Sequence, residues 1–344
     1  MSYAHLSRRN ALRVVGGTAL ASGLGYPLSL MAGEKVTAIN YGFVLGIHCA
    51  PTRGLLEECP QFGVDVQMQR FQKGRDIVQT VIGGRGDVAV TGPISVLRSI
   101  QAGNDLTIFG NYYLHTSLVV VTNTDKIKGW ADFTKPDVTV GINSQGDITQ
   151  VMMVGGLLKN KFDAKGVKWA DIGGSGSRMR ALIAKRIQAS VIHFDQVPKV
   201  QKSGNYNVLL VPAQEYDPWV NEVVYARTDW LKKPGNRKKA VGVMKGIITA
   251  HRKATQDYGY YKEAFLKYAT LKGKKKMSDD QIKSYWNTIA KDMGVWPKDN
   301  GFKRSNFEKL MPYYVASKAV DNKPIDLNKA VDDSIVADAL KELG

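Results

Sequence analysis

One pattern of alternating strands and helices occurs twice in this chain of 344 residues, and this repeat constrains the fold more than any other feature. The first copy begins with the β-branched and apolar run 36–40, and the second begins with the similar run 138–143. In each copy a helix-like segment, a second strand, a second helix and a third strand follow. Two β-α-β-α-β units with short loops predict an α/β protein with two lobes, each a mostly parallel sheet flanked by helices.

The end of the repeat gives the closest match between the two copies. Residues 81–90 and 182–191 both contain the end of a helix, a basic turn and an apolar strand. The copies differ inside that turn, where residues 86–87 are Gly-Asp in the first and residues 187–188 are Ile-Gln in the second. The alternative is that two unrelated α/β stretches share this spacing by chance.

Sheets of this kind bind ligands at the carboxyl ends of their strands, where the following helices begin. The candidate site residues are therefore mainly those that follow the predicted strands. In the first lobe they are Tyr41, Phe43, His48, Cys49, Thr91, Gly92 and Pro93. In the second lobe they are Asn143, Ser144, Gln145, Gly146, His193, Phe194 and Asp195. Four further candidates are Thr116 and Ser117, which precede the predicted strand 118–121, and Trp219 and Glu222. If the lobes face each other, these residues line one cleft.

The loop 143–147 leads into a predicted helix that begins near Ile148. Unpaired N–H groups at a helix N-terminus suit the oxygens of a sulfonate, a carboxylate or a nitrate. The alternative is an ordinary helix cap by Asp147 or Ser144, which needs no ligand.

Two histidines stand at predicted strand ends, one in each lobe. His48 either contacts an anion or a heterocycle, or forms a structural hydrogen bond in its loop. For His193 and Asp195 three interpretations are open: both bind a ligand amine, hydroxyl or ring nitrogen, Asp195 orients His193, or Asp195 pairs with a nearby lysine.

The remaining candidates also have two interpretations each. The hydroxyls of Thr116 and Ser117 either contact a ligand or simply precede a strand, and Glu222 meets either a ligand cation or a lysine at the hinge. Aromatic side chains near strand ends either stack on a planar ligand or pack in the core; they are Tyr41, Phe43, Phe194, Trp219 and Tyr225.

Several short motifs, in this order and spacing, resemble a known family. They are Tyr41-Gly42, Ala50-Pro51, Phe-Gly-Val-Asp-Val at 62–66, Gly-Asp-Val-Ala-Val-Thr-Gly at 86–92 and Ile-Asn-Ser-Gln-Gly at 142–146. Over residues 35–230 the chain is similar to solute-binding proteins for sulfonates, nitrate and taurine, a family that includes receptors for thiamine-precursor pyrimidines.

The resemblance implies a two-lobed periplasmic binding protein of type II, with its ligand cleft between the lobes. Such a receptor closes on a small organic or anionic solute and delivers it to the permease subunits of an ABC importer. It acts as a monomer and needs no covalent chemistry, cofactor or metal. The implied domains are a signal peptide at 1–33, a first lobe at 34–122 and 224–344 that includes the C-terminal helices, and a second lobe at 123–223.

The N-terminus has the features of an export signal. A pair of arginines, Arg8 and Arg9, precedes the uncharged and mildly apolar stretch 14–33, which is rich in glycine. This arrangement resembles a twin-arginine signal and predicts export to the periplasm. A retained N-terminal anchor is the alternative.

Three rival functions remain open from the sequence, and one of them is a pair of lobes that binds no ligand and has a sensory or scaffold role. Cys49 stands before a helix, where a thiol pKa falls, so an enzyme that uses it as a nucleophile in the manner of a desulfinase is one alternative. The formal charge of +17 raises nucleic acid as a partner, but no DNA-binding helix pair or basic motif interleaved with aromatics supports it. A disulfide between Cys49 and Cys59 is excluded if a helix runs between them, because ten helical residues span about 15 Å.

The positive charge is concentrated in one stretch. Residues 231–276 contain fourteen Lys and Arg against two acidic residues, Asp257 and Glu263. Apolar residues at helical spacing with lysines between them predict helices with a solvated basic face. The charge is therefore weak evidence for an anionic ligand.

Overall fold

The computed structural model describes residues 34–41, 46–71, 74–216 and 219–344, which belong to one compact unit. The predicted signal peptide at 1–33 lies outside the described residues. The strands are β1 Glu34–Tyr41, β2 Val64–Phe71, β3 Val88–Thr91, β4 Leu106–Tyr113, β5 Leu118–Asn123, β6 Thr139–Ile142, β7 Lys168–Asp171, β8 Ala189–His193, β9 Tyr206–Leu210 and β10 Glu222–Arg227.

Helices follow most of the strands and form the tail of the chain. The α-helices are α1 Ala50–Arg53, α2 Gly74–Ile82, α3 Pro93–Gln101, α4 Ile148–Lys159, α5 Ser175–Ile183, α6 Val197–Gln201, α7 Pro212–Glu215, α8 Thr228–Leu231, α9 Pro234–Gln256, α10 Tyr258–Tyr268, α11 Asp279–Asn287, α12 Arg304–Ala316, α13 Leu327–Ala330 and α14 Ser334–Leu343. Helix α1 continues as a π-helix at Gly54–Glu58 and a 3-10 turn at Cys59–Phe62, and α11 continues as a π-helix at Thr288–Asp292. Further 3-10 turns lie at Trp130–Thr134, Phe194–Gln196 and Lys274–Lys276.

The ten strands form two five-stranded sheets with the same arrangement. The first sheet has the order β2-β1-β3-β10-β4, and the second has the order β7-β6-β8-β5-β9. The first three strands of each sheet are parallel, and the fourth is antiparallel to both of its neighbours. The α/β architecture with two mostly parallel sheets is therefore the predicted one.

The antiparallel strand of each sheet is the one that has just arrived from the other sheet. The chain leaves the first sheet after β4, crosses over residues 114–117 and enters the second sheet as β5. It returns over residues 211–221 and re-enters the first sheet as β10. The sequence placed residues 118–122 in the first lobe, but their hydrogen-bond ladder with β8 and β9 puts this strand in the second sheet. The predicted lobe boundary is too late in the chain because the sequence of an apolar strand does not indicate which strands it pairs with.

The turn before the third strand is built in the same way in both sheets despite its different residues. The side chain of Asp87 accepts a hydrogen bond from the backbone N–H of Thr37 at 2.9 Å, and the side chain of Gln188 accepts one from the N–H of Thr139 at 2.9 Å. The backbone N–H groups of Asp87 and Gln188 donate back to the carbonyls of the same two threonines. Asp87 and Gln188 are therefore equivalent, and the change from Gly-Asp to Ile-Gln preserves the turn.

Helix α9 packs against the first lobe through glycines. A methyl group at Gly246 would lie 2.9 Å from the carbonyl oxygen of Gly54 and 3.0 Å from the backbone nitrogen of Cys59. These distances leave no room for a side chain, so α9 and the segment that continues α1 lie with their backbones in contact. Cys49 and Cys59 are both buried and free.

The C-terminal helices also reach the second lobe. Helix α12 packs against α4, and the ring of Tyr313 lies 5.6 Å from the ring of Tyr216 in the return crossing. On α11, the ring of Tyr285 meets the edge of the Phe194 ring at 5.9 Å. The tail therefore bridges the two lobes on two sides.

Much of the basic charge in 231–276 is paired with carboxylates from outside that segment. Six of its basic side chains form such ion pairs, at 2.6–3.1 Å: Arg237 with Asp332 and Asp338, Lys239 with Glu34, Lys245 with Glu342, Lys253 with Glu58, Lys262 with Asp279, and Lys267 with Glu57. The sequence predicted a solvated basic face, and the fold brings acidic residues to part of it.

None of the helices in the described part of the chain has both the length and the apolar character needed to span a bilayer.

Candidate ligand-binding cleft

Two histidines from different lobes meet between the sheets. His48 lies in the loop just before α1 in the first lobe, and His193 is the last residue of β8 in the second lobe. Their ring centroids are 5.9 Å apart, and the His48 ring lies 4.6 Å from the ring of Tyr113 at the end of β4. Residues that the sequence placed at the strand ends of separate lobes therefore face each other across one cleft.

The first crossing holds His193 in place. A hydrogen bond of 2.8 Å joins Ser117 Oγ to His193 Nδ1, and the backbone N–H of Phe194 donates to the carbonyl of Ser117 at 2.9 Å. Thr116 Oγ1 accepts a hydrogen bond from the backbone N–H of Leu118 at 3.1 Å, which supports the start of β5. Of the two predicted hydroxyls, Ser117 belongs to the cleft and Thr116 supports the crossing.

Both imidazoles are held neutral by their surroundings. Burial lowers the pKa of His48 to about 4. Burial also lowers the pKa of His193 to about 3, and the charges of His48 and Arg178 act in the same direction. The Nδ1 atom of His48 is buried and has no hydrogen-bond partner within the described residues. A neutral imidazole offers one donor and one acceptor, so the pair suits a polar or heterocyclic ligand.

Glu222 closes the end of the cleft next to the crossings. It is the first residue of β10, and its Cα partner in the ladder is Tyr113 of β4. Burial raises the pKa of Glu222 to about 8, while a hydrogen bond with Tyr113 acts against this shift. Asn221 hydrogen-bonds Tyr113 through its side chain, and its backbone N–H donates to the carbonyl of Leu114 at 2.9 Å. The two crossings therefore lie side by side, with a buried acid between them.

Asp195 follows His193 by two residues, in the turn after β8, and lies next to the tail helices. Burial raises its pKa to about 6. Tyr261 of α10 and Tyr285 of α11 are close enough for the charge of Asp195 to raise the pKa of both phenols, although burial is the larger cause in each. Tyr261 also donates to the carbonyl of Ile47 at 2.8 Å, which ties α10 to the loop that carries His48.

A groove opens from this side to the surface. Its volume is about 640 Å³, and it lies between the turn after β8 and helix α11. Its lining residues are Phe194, Asp195, Pro198, Lys199, Lys202, Gln281, Ser284, Tyr285 and Thr288. The tail therefore supplies one wall of the groove.

Several donors of the predicted loop 143–147 are used within the loop and the helix that it opens. Asp147 caps α4 by accepting from the backbone N–H groups of Thr149 and Gln150, and it also accepts from the Thr149 hydroxyl at 2.6 Å. The backbone N–H of Asn143 donates to Thr149 Oγ1 at 2.9 Å, and the N–H of Gly146 donates to Gln150 Oε1 at 2.6 Å. None of these bonds reaches His48 or His193. Ser144 and Gln145 are exposed. The helix-cap alternative therefore accounts for Asp147.

The other predicted residues surround the cleft at different distances. Thr91 ends β3 opposite Val223 of β10, a methyl group on Gly92 would lie 3.8 Å from the carbonyl oxygen of Asn221, and Pro93 begins α3. Trp219 donates to Asn221 Oδ1 at 3.3 Å and its ring packs on Tyr216, and Tyr225 is buried in the core. Tyr41 ends β1 but its side chain, like the whole of Phe43, lies outside the described residues.

Sequence reasoning missed the residues that come from distant segments. They are Tyr113 at the end of β4, Asn221 in the return crossing, and Tyr261 and Tyr285 in the tail. The strand-end rule that found His48 also applies to Tyr113, because β4 ends there. The two tail tyrosines carry no such signal, since their position depends on how α10 and α11 pack.

The surroundings of Cys49 do not activate its thiol as a nucleophile. It is buried, and that burial raises the pKa of its thiol to about 12. A thiol with such a pKa has almost no thiolate at neutral pH. Within the described residues no group of three or more His, Cys, Asp or Glu side chains is arranged to hold a metal ion.

Comparison with solved structures shows that the fold is that of periplasmic binding proteins. A protein from Bordetella bronchiseptica RB50 matches with a TM-score of 0.67 and 18% identity, over 90% of this chain and 98% of that one. A putative periplasmic sulfonate-binding protein of Methylobacillus flagellatus KT matches with a TM-score of 0.68 and 15% identity, over 91% and 95%. The nitrate-binding protein of Synechocystis PCC 6803 matches with a TM-score of 0.67 and 12% identity, over 90% and 89%.

No curated protein sequence matches the chain. A family model described as NMT1/THI5 like matches residues 44–257, which include the second copy of the repeat, the first copy after its opening strand β1, both crossings and the histidines of the cleft. The chain belongs to the NMT1/THI5-like family.

Proposed function

We propose that this protein is a solute-binding receptor that closes on a small organic or anionic solute and delivers it to the permease subunits of an ABC importer. The observation that carries the proposal is the meeting of His48 and His193, one from each lobe, at the junction of two sheets. A ligand that contacts both side chains favours the closed arrangement of the lobes over the open one. The printed names of the similar structures, a sulfonate-binding and a nitrate-binding protein, point in the same direction.

The two crossings supply the hinge for this closure. Residues 114–117 and 211–221 are the segments that join the sheets, and they are linked by the hydrogen bond from Asn221 to Leu114. Hinges of two-lobed receptors are short segments that absorb backbone rotation while the lobes move as rigid bodies.

The proposed ligand contacts follow from the positions in the cleft. The central set is His48, Ser117, His193, Asp195 and Glu222, with Tyr113 added from the structure. Thr91, Gly92, Pro93 and Phe194 border this set. The loop 143–146 is kept as a candidate because it opens the first helix of the second lobe, although the N–H groups of Asn143 and Gly146 already donate to side chains of that helix.

A role as an enzyme receives no support from the cleft. The one candidate nucleophile, Cys49, is buried and its thiol pKa is raised to about 12. Its substitution by Ser is therefore expected to leave ligand affinity nearly unchanged.

The proposal includes export to the periplasm by the twin-arginine route and action as a monomer. Replacing Arg8 and Arg9 together by Lys is expected to leave the protein in the cytoplasm, which cell fractionation measures. Sedimentation of the mature protein tests the monomer. Export of the double variant at the normal level would contradict the twin-arginine part alone.

The central test is a melting-temperature screen of the mature protein. The panel contains sulfonates, aromatic carboxylates, pyrimidines, amines and nitrate. A ligand present at a hundred times its Kd adds about 2.7 kcal/mol to the free energy of unfolding, which such a screen detects. The hit is then expected to reduce the radius of gyration in solution scattering, because the lobes close on it. A panel without any stabilising member would contradict the receptor function.

A further inference from the structure

We propose that the solute carries a protonated amine, with the carboxylate of Asp195 as its counter-ion and the carboxyl group of Glu222 as a second polar anchor. This inference rests on the receptor function and narrows its solute class to cations. It departs from the sulfonate and nitrate named for the similar structures.

The surroundings of Asp195 are those of a cation site. Its side chain is largely removed from solvent, it forms no ion pair within the described residues, and the hydrogen bond that acts on its pKa comes from its own backbone N–H. Aromatic rings flank it, since Tyr261 and Tyr285 lie within electrostatic range and Phe194 is its neighbour in the chain. A carboxylate among aromatic faces attracts an ammonium group through its charge and through the rings' quadrupoles.

The nearby basic side chains do not neutralise Asp195. Lys199 and Lys202 line the outer groove and are exposed to solvent, and no ion pair joins either to Asp195 in the described part of the chain. Arg178 donates to the backbone carbonyls of Val191 and Gly173. Its charge is felt by Asp147 and His193. Lys274 donates to backbone carbonyls of α10 and of the residue that follows it.

Glu222 is a second carboxyl group without a basic partner. It receives a hydrogen bond from Tyr113, and no ion pair reaches it among the described residues. With a pKa raised to about 8, Glu222 is mostly protonated near neutral pH and serves as a neutral polar partner, so the charge that needs compensation is that of Asp195. A bound cation provides that compensation, whereas an anion adds to the unfavourable charge.

Binding of an anion and binding of a cation are expected to change the protonation of the cleft in opposite directions. His48 and His193 have pKa values lowered to about 4 and about 3, so near neutral pH they carry no charge to attract an anion. To an anion they offer only neutral N–H donors, and an anion beside Asp195 favours the protonated carboxyl group and therefore proton uptake. A cation favours the ionised form of Asp195, whose pKa is about 6, and releases a proton from it.

The test uses three matched probes on the mature protein: benzylamine, benzyl alcohol and phenylmethanesulfonate. They present a positive, a neutral and a negative group on the same ring and linker. Titration calorimetry at pH 6, in two buffers of different ionisation enthalpy, measures affinity and the proton change together. We expect the amine to bind most tightly and with net proton release.

Charge-neutralising variants locate the contact. Asp195→Asn is expected to weaken benzylamine binding by about tenfold or more, since a buried charge contact is lost. Glu222→Gln is expected to weaken it less. Asp171→Asn, at the exposed end of β7 in the same lobe, is the matched control and is expected to bind as the unmodified protein does.

Several outcomes would overturn the inference. Tighter binding of the sulfonate, with net proton uptake, would do so while it supported the receptor function. Equal benzylamine affinity in the Asp195→Asn variant, or no benzylamine binding at millimolar concentration, would also do so. The receptor function itself is decided by the wider melting screen, so the two proposals fail separately. The proton change is measured on the unmodified protein and therefore does not depend on whether a variant folds.

Discussion

The two lobes have the same strand order, yet they use different residues at corresponding places. The strand that enters the first sheet from the crossing, β10, begins with the buried acid Glu222, whereas the corresponding strand β5 begins with Leu118. The first helix of the first lobe has no side-chain cap and packs on α9 through backbone contacts. The first helix of the second lobe is capped by Asp147 and packs its glycines on aromatic rings.

This difference separates what the fold requires from what one lobe adds. The sheet order requires a strand at each position and a turn of fixed shape before the third strand. It does not require an acid at a hinge or a tail of helices. Features found in only one lobe are therefore the candidates for ligand recognition and for lobe-specific stability.

The largest expected effect concerns the acid at the start of β10. The pKa of Glu222 is raised to about 8 by burial, so ionisation of this group favours the unfolded state at any pH above its ordinary value near 4.3. The wild type therefore loses stability from this group between about pH 4 and pH 8. Glu222→Gln is expected to be more stable than the wild type by roughly 4 kcal/mol at pH 8, and by almost nothing at pH 4.

Denaturant unfolding over this pH range measures the difference. Glu215→Gln, an exposed position in the return crossing, is the control and is expected to follow the wild type at every pH. If the free energies of unfolding of Glu222→Gln and the wild type differed by the same amount at every pH, the carboxyl group would not be desolvated. The start of β10 would then not differ from the start of β5 by a destabilising buried acid.

The second prediction compares the packing of the first helices. Gly246→Ala forces a methyl group against the backbone of residues 54 and 59, which cannot move independently, and is expected to cost about 3 kcal/mol. In the second lobe, Gly155→Ala meets only the ring and hydroxyl of Tyr216 at 2.7–3.1 Å and is expected to cost about 1 kcal/mol.

The control for this pair lies in α9 itself. A methyl group at Gly235 has no neighbour within 4 Å, so Gly235→Ala is expected to be neutral or slightly stabilising by helix propensity. Melting temperatures and denaturant midpoints of the three variants give the ranking. Equal losses for Gly246→Ala and Gly155→Ala would show that the two helices pack with similar freedom.

The sequence predicts the repeat well because both copies carry local signals. Strand and helix patterns identify all six strands of the two β-α-β-α-β units, and the strand-end rule places His48 and His193 at the edge where they meet. The strand that begins at residue 118 could not be assigned to a lobe from sequence, because an apolar strand has the same residue pattern in either sheet. Only the hydrogen-bond ladder assigns it to the second lobe.

Long-range packing accounts for what the sequence does not predict. Tyr261 and Tyr285 lie near the cleft because α10 and α11 pack against it. The helical pattern of these segments predicts the helices but not where they pack. The basic segment 231–276 likewise gives no local sign of partners as distant as Glu34 and Glu342. Sequence patterns describe elements, whereas these contacts depend on how the elements are arranged.

The third prediction tests the equivalence of the two turns. Asp87→Ala and Gln188→Ala each remove one acceptor from a strand N–H and are expected to cost about 1 kcal/mol each. Asp87→Asn keeps an acceptor oxygen in place and is expected to lie close to the wild type. Chemical denaturation measures all three. A loss in one lobe without the corresponding loss in the other would break the equivalence.

The smallest expected effect concerns a residue in the turn after the second helix of each lobe. Gly84 and Lys185 occupy the same place in the repeat, and both have positive φ, 70° and 57°. The hydrogen bonds around them also correspond, because the N–H groups of Gly84 and Lys185 donate to the carbonyls of Val81 and Leu182. A lysine in this left-handed conformation costs about 1 kcal/mol relative to glycine, while glycine loses more backbone entropy on folding.

The conformational strain of the lysine and the larger backbone entropy loss of a glycine nearly offset each other. Lys185→Gly is therefore expected to raise stability by only about 0.5 kcal/mol. The reverse change in the first lobe, Gly84→Ala, is expected to lower stability by about 1 kcal/mol, because the methyl group also lies 2.7 Å from Arg227 Nη1. Ala184→Gly, one residue before the turn with φ −79°, is the control and is expected to destabilise. If Lys185→Gly destabilises as much as Ala184→Gly does, the lysine side chain stabilises its turn by contacts that the glycine of the first lobe lacks, and the two turns share their backbone shape alone.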